Sequence, residues 1–256
     1  RDYKVTGVQT CALPISHPAV RRHGRDAACL GTFGARAACH RAAARVPAVR
    51  RAAPRVAFFT DSYHEVNGVA RTSRQFVAFA RERGLPLLAV HAGPEDRRWT
   101  EGSVTHCEFR RGLPRLRLDA DLSFDLAFLW RHRRRVETIF RLFDPTIVHT
   151  TGPSDCGLLG MLLAHRARVP MVASWHTNVH EYAGHRIPAW MPWRPAAAKW
   201  AEQQSLDLLL LYYGYARRTM APNPELVAML QERTGRPSTL MERGIDTELF
   251  HPARRM

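Results

Sequence analysis

The sequence predicts an α/β fold in which a parallel sheet is covered by helices on both faces. From Arg55 onward, short apolar runs of strand length alternate with longer segments whose apolar residues recur at helical spacing. The strand-length runs are apolar almost throughout, which is typical of strands buried on both faces. Such strands are joined by right-handed crossovers, so we expect ligands to bind at their carboxyl ends.

The first three predicted elements are a strand, a helix and a strand. The run R-V-A-F-F-T, which begins at Arg55, has strand length and ends in a polar loop. In the helix that follows, apolar residues between Phe76 and Ala80 share one face, and Gly84 stands where a C-cap glycine belongs. The run L-P-L-L-A-V-H-A is the next strand.

The segment from Gly93 to Asp121 is expected to be irregular, with at most one short strand, and Leu122 to Phe143 is expected to be one helix. Strand and helix then alternate again. Strands are predicted within 145–153, 170–176, 218–223 and 238–246, and helices within 156–169, 195–215 and 224–234. The loops to inspect at the carboxyl ends of strands are therefore 61–69, 150–157 and 174–185.

The net charge of +15 is unevenly distributed along the chain. Residues 1–54 hold ten Lys and Arg against two Asp and Glu, which accounts for eight of the fifteen charges. Within them, Val5–Ser16 resembles a translated sequencing adapter, which indicates an assembly artefact. For the Arg/Ala-rich tract 17–54 three interpretations stay open: read-through of upstream DNA, a disordered basic arm, or an amphipathic element. The rest of the chain is moderately basic, as in many enzymes that bind phosphates.

The five cysteines form no C-x-x-C pair, so we expect unpaired thiols in a reducing cytoplasm. No apolar run reaches about 18 residues, so no transmembrane helix is expected, and no secretory signal is recognisable.

The basic run R-H-R-R-R (131–135) is interpreted either as a solvated helix face or as a surface that attracts anionic lipid. The Trp-rich piece 188–195 is either a packed loop or an interfacial segment.

The first predicted loop, D-S-Y-H-E-V-N-G-V, joins a strand to a helix. Gly68 would let backbone N–H groups approach an anion, and the helix N-terminus would add positive potential. The patterns G-x-G-x-x-G and G-x-x-x-x-G-K-[ST] are absent, which argues against a dinucleotide-binding dehydrogenase and a P-loop NTPase.

The histidines of S-W-H-T-N-V-H-E-Y-A-G-H (174–185) raise the question of a metal. A zincin needs H-E-x-x-H, but His185 falls one residue too late. His176 and His180 are four residues apart and would share a face if a helix began early, but Asn178 in a predicted strand-exit loop argues against this. We therefore expect no metal there. His176 can bond a substrate hydroxyl or phosphate, whereas His180 and His185 are interpreted as ordinary loop residues.

Taken together, five ordered motifs resemble glycosyltransferase family four. They are F-T-D-S-Y-H-E-V-N-G-V-A-R-T, I-V-H-T-T-G-P-S-D-C-G, V-A-S-W-H-T-N-V-H-E-Y, A-P-N and R-G-I-D-T-E-L-F-H-P, spread over residues 55–254. The resemblance implies the GT-B architecture, two Rossmann-like domains with the active site between them. It also implies transfer of a sugar from a nucleotide diphosphate donor to a lipid or glycan acceptor, with retained anomeric configuration and without metal or other cofactor.

The resemblance also implies roles for individual residues. His176 matches the catalytic histidine beside the donor sugar, and Gly68 matches the glycine that approaches the diphosphate and the acceptor. Further residues are the first-loop positions Asn67, Val69 and Arg71, the acceptor-side positions Asp61, Thr177 and Tyr182, and the cleft-hinge positions Gly244 and Asp246.

The chain departs from the family pattern in two places. Ala216-Arg217-Arg218 stands where an aspartate is common, and the chain ends at Met256, before a second Rossmann-like domain. We therefore expect a fragment that is inactive alone. It would comprise an acceptor-side domain at 55–240 and the start of a donor-binding domain at 241–256.

Two other functions stay open at this point. A basic module could bind an anionic membrane or nucleic acid without chemistry, although no nucleic-acid motif accompanies the basic run. A sugar-nucleotide epimerase of the same architecture would need paired carboxylates, for which Asp61 and Glu65 are the candidates. The glycosyltransferase interpretation places the protein in the cytoplasm, on the inner face of the membrane, with no nucleic-acid partner.

Overall fold

A computed structural model describes residues 53–113, 115–117, 123–125, 127–180 and 195–242. The strands are β1 (Val56–Thr60), β2 (Leu87–Gly93), β3 (Arg97–Glu101), β4 (Val104–Arg110), β5 (Arg115–Arg117), β6 (Ser123–Asp125), β7 (Ile147–Thr150), β8 (Met171–Ser174), β9 (Arg218–Ala221) and β10 (Ser238–Leu240). The helices are α1 (Gly68–Glu82), α2 (Phe128–Phe143), α3 (Asp155–Ala167), α4 (Pro195–Tyr215) and α5 (Pro224–Thr234).

Eight of these strands form one sheet in the order β10-β9-β8-β7-β1-β2-β4-β3. Every pair in it is parallel except β3 with β4. Strands β5 and β6 form a separate antiparallel pair. The predicted α/β class and parallel sheet are confirmed.

The two faces of the sheet are covered by different helices. Phe58 and Phe59 follow one another on β1 and therefore point to opposite faces. Phe58 packs with Val77 and Ala80 of α1, whereas Phe59 belongs to the larger core, with Phe140 of α2 at a ring separation of 6.4 Å. Burial of aromatic side chains on both faces explains why β1 is apolar throughout.

The prediction of an irregular stretch from Gly93 to Asp121 is wrong, because β3 and β4 lie there. Strand β4 buries His106 and Glu108, while β3 is an edge strand of mostly exposed, charged residues. Buried polar residues and a charged edge both remove the apolar run by which a strand is recognised.

The helix predicted from Leu122 begins only at Phe128, because the residues of β6 pair with β5 instead. Asp125 holds this segment: its carboxylate accepts hydrogen bonds from the backbone N–H groups of Gly112 (2.7 Å) and Ala127 (2.9 Å) and pairs with Arg131. Burial alone would raise the pKa of Asp125, but these donors outweigh it and hold the pKa below its ordinary value.

The basic run 131–135 is more than a solvated face. His132 is buried and its ring lies 3.0 Å from the Arg110 carbonyl, and Arg135 pairs with Asp96 at 3.1 Å. None of the helices in the described ranges is long and apolar enough to cross a membrane. The domain boundaries at 54/55 and 240/241 stay predictions, because residues 1–52 and 243–256 lie outside the description.

Candidate functional site

The three loops singled out in the sequence meet at one edge of the sheet. They follow β1, β7 and β8, three strands that are neighbours in the order β8-β7-β1. Together they line a cleft of about 550 Å³. Its wall is made of Asp61, Ser62, Asn67, Gly68, Val69, Phe124, Thr151, Gly152, Pro153, Ser154, Trp175, His176, Thr177, Asn178, Val179, Tyr213, Pro222, Asn223 and Leu226.

Most of the predicted site residues that the structure describes lie in this wall. They are Asp61, Asn67, Gly68, Val69, His176 and Thr177. Arg71 lies on the first turn of α1, outside the wall. Tyr182, His185, Gly244 and Asp246 fall outside the described residues, as does the segment 188–194. Their predicted roles stay predictions.

Among the helices whose bounds are given above, α1, α3 and α5 begin at the cleft, and each has a side-chain cap. Asn67 accepts a hydrogen bond from the Ala70 N–H at the start of α1 (2.8 Å), and Ser154 accepts one from Gly157 at the start of α3 (3.0 Å). At the start of α5, Asn223 caps in the same way. Helix N-termini carry partial positive charge and spare N–H groups, so this edge suits an anion such as a diphosphate.

The sequence indicated only the first of these three N-termini. Ser154 and Asn223 each stand directly before the first residue of a helix, and Pro224 occupies the first turn of α5. These are recognisable start signals. The sequence could not show that the loops after β7 and β9 place the starts of α3 and α5 at the same cleft as the start of α1.

His176 is fixed at the end of β8 through Ser174. The Ser174 hydroxyl oxygen lies 2.8 Å from Nε2 of His176, 3.0 Å from Nε2 of His149 and 3.3 Å from the Thr150 carbonyl. All three contacts are satisfied only if the serine proton goes to the carbonyl and both rings donate Nε2–H. In the neutral His176 ring, Nδ1 is then the acceptor nitrogen.

His149 is part of this arrangement although the sequence gave no reason to single it out. It is packed between the rings of Phe58 (5.1 Å) and Phe76 (5.4 Å). Burial, with a smaller contribution from a charge on His176, lowers the pKa of His149 to about 3. It is therefore neutral at physiological pH, and its Nε2–H tautomer can donate to Ser174.

Trp175, next to His176, keeps the strand exit rigid. Its ring is buried and stacked on Tyr213 at 4.9 Å, its indole N–H donates to Asn178 (2.8 Å), and its backbone N–H donates to the Met220 carbonyl (2.7 Å). Since Trp175 is held by these contacts, the ring of His176 is presented to the cleft from a fixed strand end.

A buried ionic network lies beside the cleft and was not foreseen. Arg111 forms a bidentate pair with Asp155, with N–O distances of 2.8 and 2.9 Å, and its Nη2 lies 3.8 Å from the Asp61 carboxylate. Burial raises the pKa of Asp61, and the charge of Asp155 raises it further, whereas Arg111 opposes both. Arg111 thus holds together two carboxylates that would otherwise repel each other.

The two carboxylates proposed for an epimerase are held by different partners, although the charge of Glu65 contributes to the raised pKa of Asp61. The carboxylate of Glu65 accepts a hydrogen bond from the Tyr63 N–H in its own loop (2.8 Å), and Asp61 faces Arg111 instead. Sequence reasoning missed Arg111 because it lies in the segment that was expected to be irregular.

The histidines of 174–185 do not gather as a metal site in the described part of the chain. His176 bonds Ser174, and the ring of His180 lies against Trp175 at 5.9 Å. The group of metal-ligand side chains that the described residues do bring together is His64, His91 and Glu108, which lies outside the cleft wall.

Two helical glycines give a matched test of how tightly the cleft loops are packed. A Cβ at Gly157 would clash with the Gly152 carbonyl and lie 2.9 Å from the Tyr212 hydroxyl, whereas one at Gly214 would be in ordinary contact with Thr234 at 3.9 Å. Gly157→Ala should therefore lower the free energy of unfolding by about 1–3 kcal/mol. Gly214→Ala should raise it by up to about 1 kcal/mol. Urea unfolding of both variants measures the difference, and equal effects would contradict the packing described.

Comparison with known proteins bears directly on this cleft. Residues 66–249 match the model of Glycosyltransferase Family 4. Two GDP-mannose-dependent alpha-mannosyltransferases are similar to the chain. The protein of Corynebacterium glutamicum is 24% identical over 204 residues, covering 78% of this chain and 46% of the relative. The protein of Mycobacterium tuberculosis is 28% identical over 208 residues, covering 78% and 50%.

An alpha-monoglucosyldiacylglycerol synthase of Streptococcus pneumoniae is 25% identical over 151 residues, covering 57% of this chain and 32% of the relative. The chain thus spans half or less of the length of these three relatives. The family model itself covers well over half of the chain, including all three cleft loops from Val66 onward. The protein therefore belongs to Glycosyltransferase Family 4, a family of sugar-transferring enzymes.

Proposed function

We propose that this chain is the acceptor-side half of a retaining, metal-independent glycosyltransferase of GT-B architecture. It would transfer a sugar from a nucleotide diphosphate donor to a lipid or glycan acceptor. The observation that carries the proposal is the cleft itself, where three capped helix N-termini and His176 face the same space. A second Rossmann-like domain would supply the opposite wall and most of the donor site.

The names of the relatives support the choice of substrates. Two relatives are named for GDP-mannose, and the third is named for a glucosylated diacylglycerol. We infer a mannose-like sugar and a lipid acceptor. The protein would then work in the cytoplasm against the inner face of the membrane, where the exposed Arg134 of the basic run could contact anionic lipid.

Catalysis in this proposal is mainly positional and electrostatic. The N–H groups at the starts of α1, α3 and α5 stabilise the negative charge that develops on the departing diphosphate. His176, held through Ser174, orients the donor sugar against the acceptor. Thr177 and Asp61 stand on the acceptor side, and Gly68 gives the backbone close access to the phosphates.

The test of the proposal compares the chain alone with the chain joined to a family donor-binding domain. Alone, residues 1–256 should transfer no radiolabelled sugar from GDP-mannose or UDP-glucose to a bacterial lipid extract, because in our proposal most of the donor site belongs to a second domain. Joined to the second domain, the chain should transfer sugar from one of them. Transfer by the chain alone would contradict the half-site proposal, as would no transfer from either donor by the folded two-domain protein.

Deletion of residues 1–54 from the two-domain protein distinguishes the transferase hypothesis from the hypothesis of a basic binding module. The transferase proposal expects an unchanged transfer rate, since the cleft wall begins at Asp61. Loss of activity on deletion would favour a basic module whose arm carries the function.

A further inference from the structure

A group of polar side chains lies on the sheet outside the cleft. Thr60, His91 and Glu108 are register neighbours on β1, β2 and β4, so their side chains share one face of the sheet. His64, in the loop after β1, comes back over this face. The group consists of His64, His91 and Glu108, and one ligand atom from each lies within 4.8 Å of the other two.

The carboxylate of Glu108 is the centre of the group. Its Oε2 lies 2.7 Å from Nε2 of His64 and 3.9 Å from Nδ1 of His91. The Glu108 side chain is 0% exposed. The absence of a side chain at Gly93 makes room for it, because a Cβ there would clash with the carboxyl carbon.

His91 is the observation that points to a ligand. Its ring is 0% exposed, and neither ring nitrogen has a hydrogen-bond partner of full geometry, since the contact with the Ala92 backbone is a weak one. A buried polar group without a full hydrogen bond destabilises the fold unless a ligand satisfies it. The ring is stacked on Tyr63 at 4.2 Å and an angle of 17°, which fixes its plane while Nδ1 faces Glu108.

We propose that His64, His91 and Glu108 bind one Zn²⁺ ion, with water as the fourth ligand. Imidazole nitrogens and a carboxylate oxygen are a common zinc donor set. With bonds of about 2.1 Å, tetrahedral ligands lie about 3.4 Å apart, so the three atoms need only small movements to surround the ion. The site goes beyond the proposed sugar transfer, which takes place in the cleft and uses no metal.

Binding of Zn²⁺ would require the guanidinium of Arg97 to move away from the Glu108 carboxylate. Its Nη2 donates to Glu108 at 3.1 Å, and a cation on the same carboxylate would repel it. The Arg97 side chain is 49% exposed and its guanidinium lies over the Trp99 ring at 4.6 Å, so it can keep the aromatic contact or turn to solvent. Zn²⁺ would thus replace a surface ion pair with coordination bonds.

The site would connect the metal to the first cleft loop. His64 stands three residues before Asn67, which caps α1, and four before Gly68; both line the cleft. A metal ion held between His64 and two sheet residues would therefore tie this loop to β2 and β4. We expect Zn²⁺ to raise the unfolding temperature of the protein, because a ligand that binds only the folded state stabilises it.

The test is calorimetric titration of the untagged 256-residue chain with Zn²⁺, with Co²⁺ absorption as a second readout. His64→Ala should lose one equivalent of Zn²⁺ or bind it at least about tenfold more weakly, and it should lose the visible band of tetrahedral Co²⁺. Glu108→Gln, which keeps the side-chain shape, should do the same. Histidines and cysteines elsewhere in the chain contribute equally to parent and variants.

His165→Ala is the matched control, since this histidine bonds Tyr215 at 2.7 Å and lies outside the group. It should keep parental Zn²⁺ binding. Because the side chain of His64 is 38% exposed, its replacement leaves the fold intact even where Glu108→Gln does not. Unchanged Zn²⁺ affinity and Co²⁺ absorption in His64→Ala would overturn the proposal, as would a parent chain that binds no Zn²⁺.

Discussion

Replacing His176 by alanine should lower the rate of sugar transfer by the two-domain enzyme about 10²- to 10³-fold. The ring lies in the cleft wall and is aligned by its 2.8 Å contact with Ser174, so its loss removes a pre-positioned polar group from the proposed reacting centre. The effect should fall on kcat, because orientation of the sugar matters most in the transition state. Steady-state kinetics with the donor and a lipid acceptor measure it.

Two controls separate chemistry from folding. His165→Ala removes a histidine on α3 that bonds Tyr215 outside the cleft, and it should leave kcat unchanged. Ser174→Ala leaves the His176 ring in place but removes its anchor, so a smaller loss, about tenfold, is expected from misplacement. Equal losses in Ser174→Ala and His176→Ala would show that the fold of the strand exit matters and not the imidazole.

Replacing Arg111 by alanine should destabilise the protein by about 3–5 kcal/mol. The Arg111 and Asp155 side chains are 11% and 3% exposed, so their bidentate pair is shielded from water. Without the guanidinium, the carboxylates of Asp155 and Asp61 are left close together and uncompensated. Urea unfolding at pH 7 measures the loss. Arg98→Ala, on the exposed edge strand β3, is the matched control and should change stability by less than about 0.5 kcal/mol.

The loss in Arg111→Ala should depend on pH. The pKa of Asp61 is already raised in the folded protein, and removing Arg111 raises it further. The pKa of such a carboxyl is higher in the folded protein than in the unfolded protein. The carboxyl therefore stabilises the fold at pH values below its unfolded pKa of about 3.9, and this contribution is lost as the pH rises. The gap between parent and variant should therefore widen from pH 4 to pH 7. A gap that stays constant over this range would mean that lost packing and not charge causes the defect.

The architecture was largely readable from the sequence because its central strands are mostly apolar. β1, β2 and β8 consist mainly of buried residues, as strands of a parallel sheet do, and the helices between them show helical spacing. β3 and β4 were missed because a charged edge strand, and a strand that buries His106 and Glu108, lack that signal. Side-chain burial at those positions follows from tertiary pairing and not from local pattern.

The site was predictable where a motif sits on one loop and unpredictable where it is assembled from distant segments. Gly68 stands where the loop after β1 enters α1, and His176 lies two residues after β8, so their place at the sheet edge could be inferred. Arg111 and Asp155 are 44 residues apart and meet only in the fold. His149 gave no signal because a histidine in a strand is usually a packed core residue, and only the shared Ser174 hydroxyl connects it to His176.

The central claim is that the cleft around His176 carries out sugar transfer. Its most direct measurement is the initial rate of radiolabelled sugar transfer from the nucleotide donor to lipid by the two-domain enzyme and by its His176→Ala variant, at matched folded content. We expect the parent to be at least about 100 times faster than the variant, with similar unfolding temperatures. A ratio near one, with both proteins folded, would contradict it.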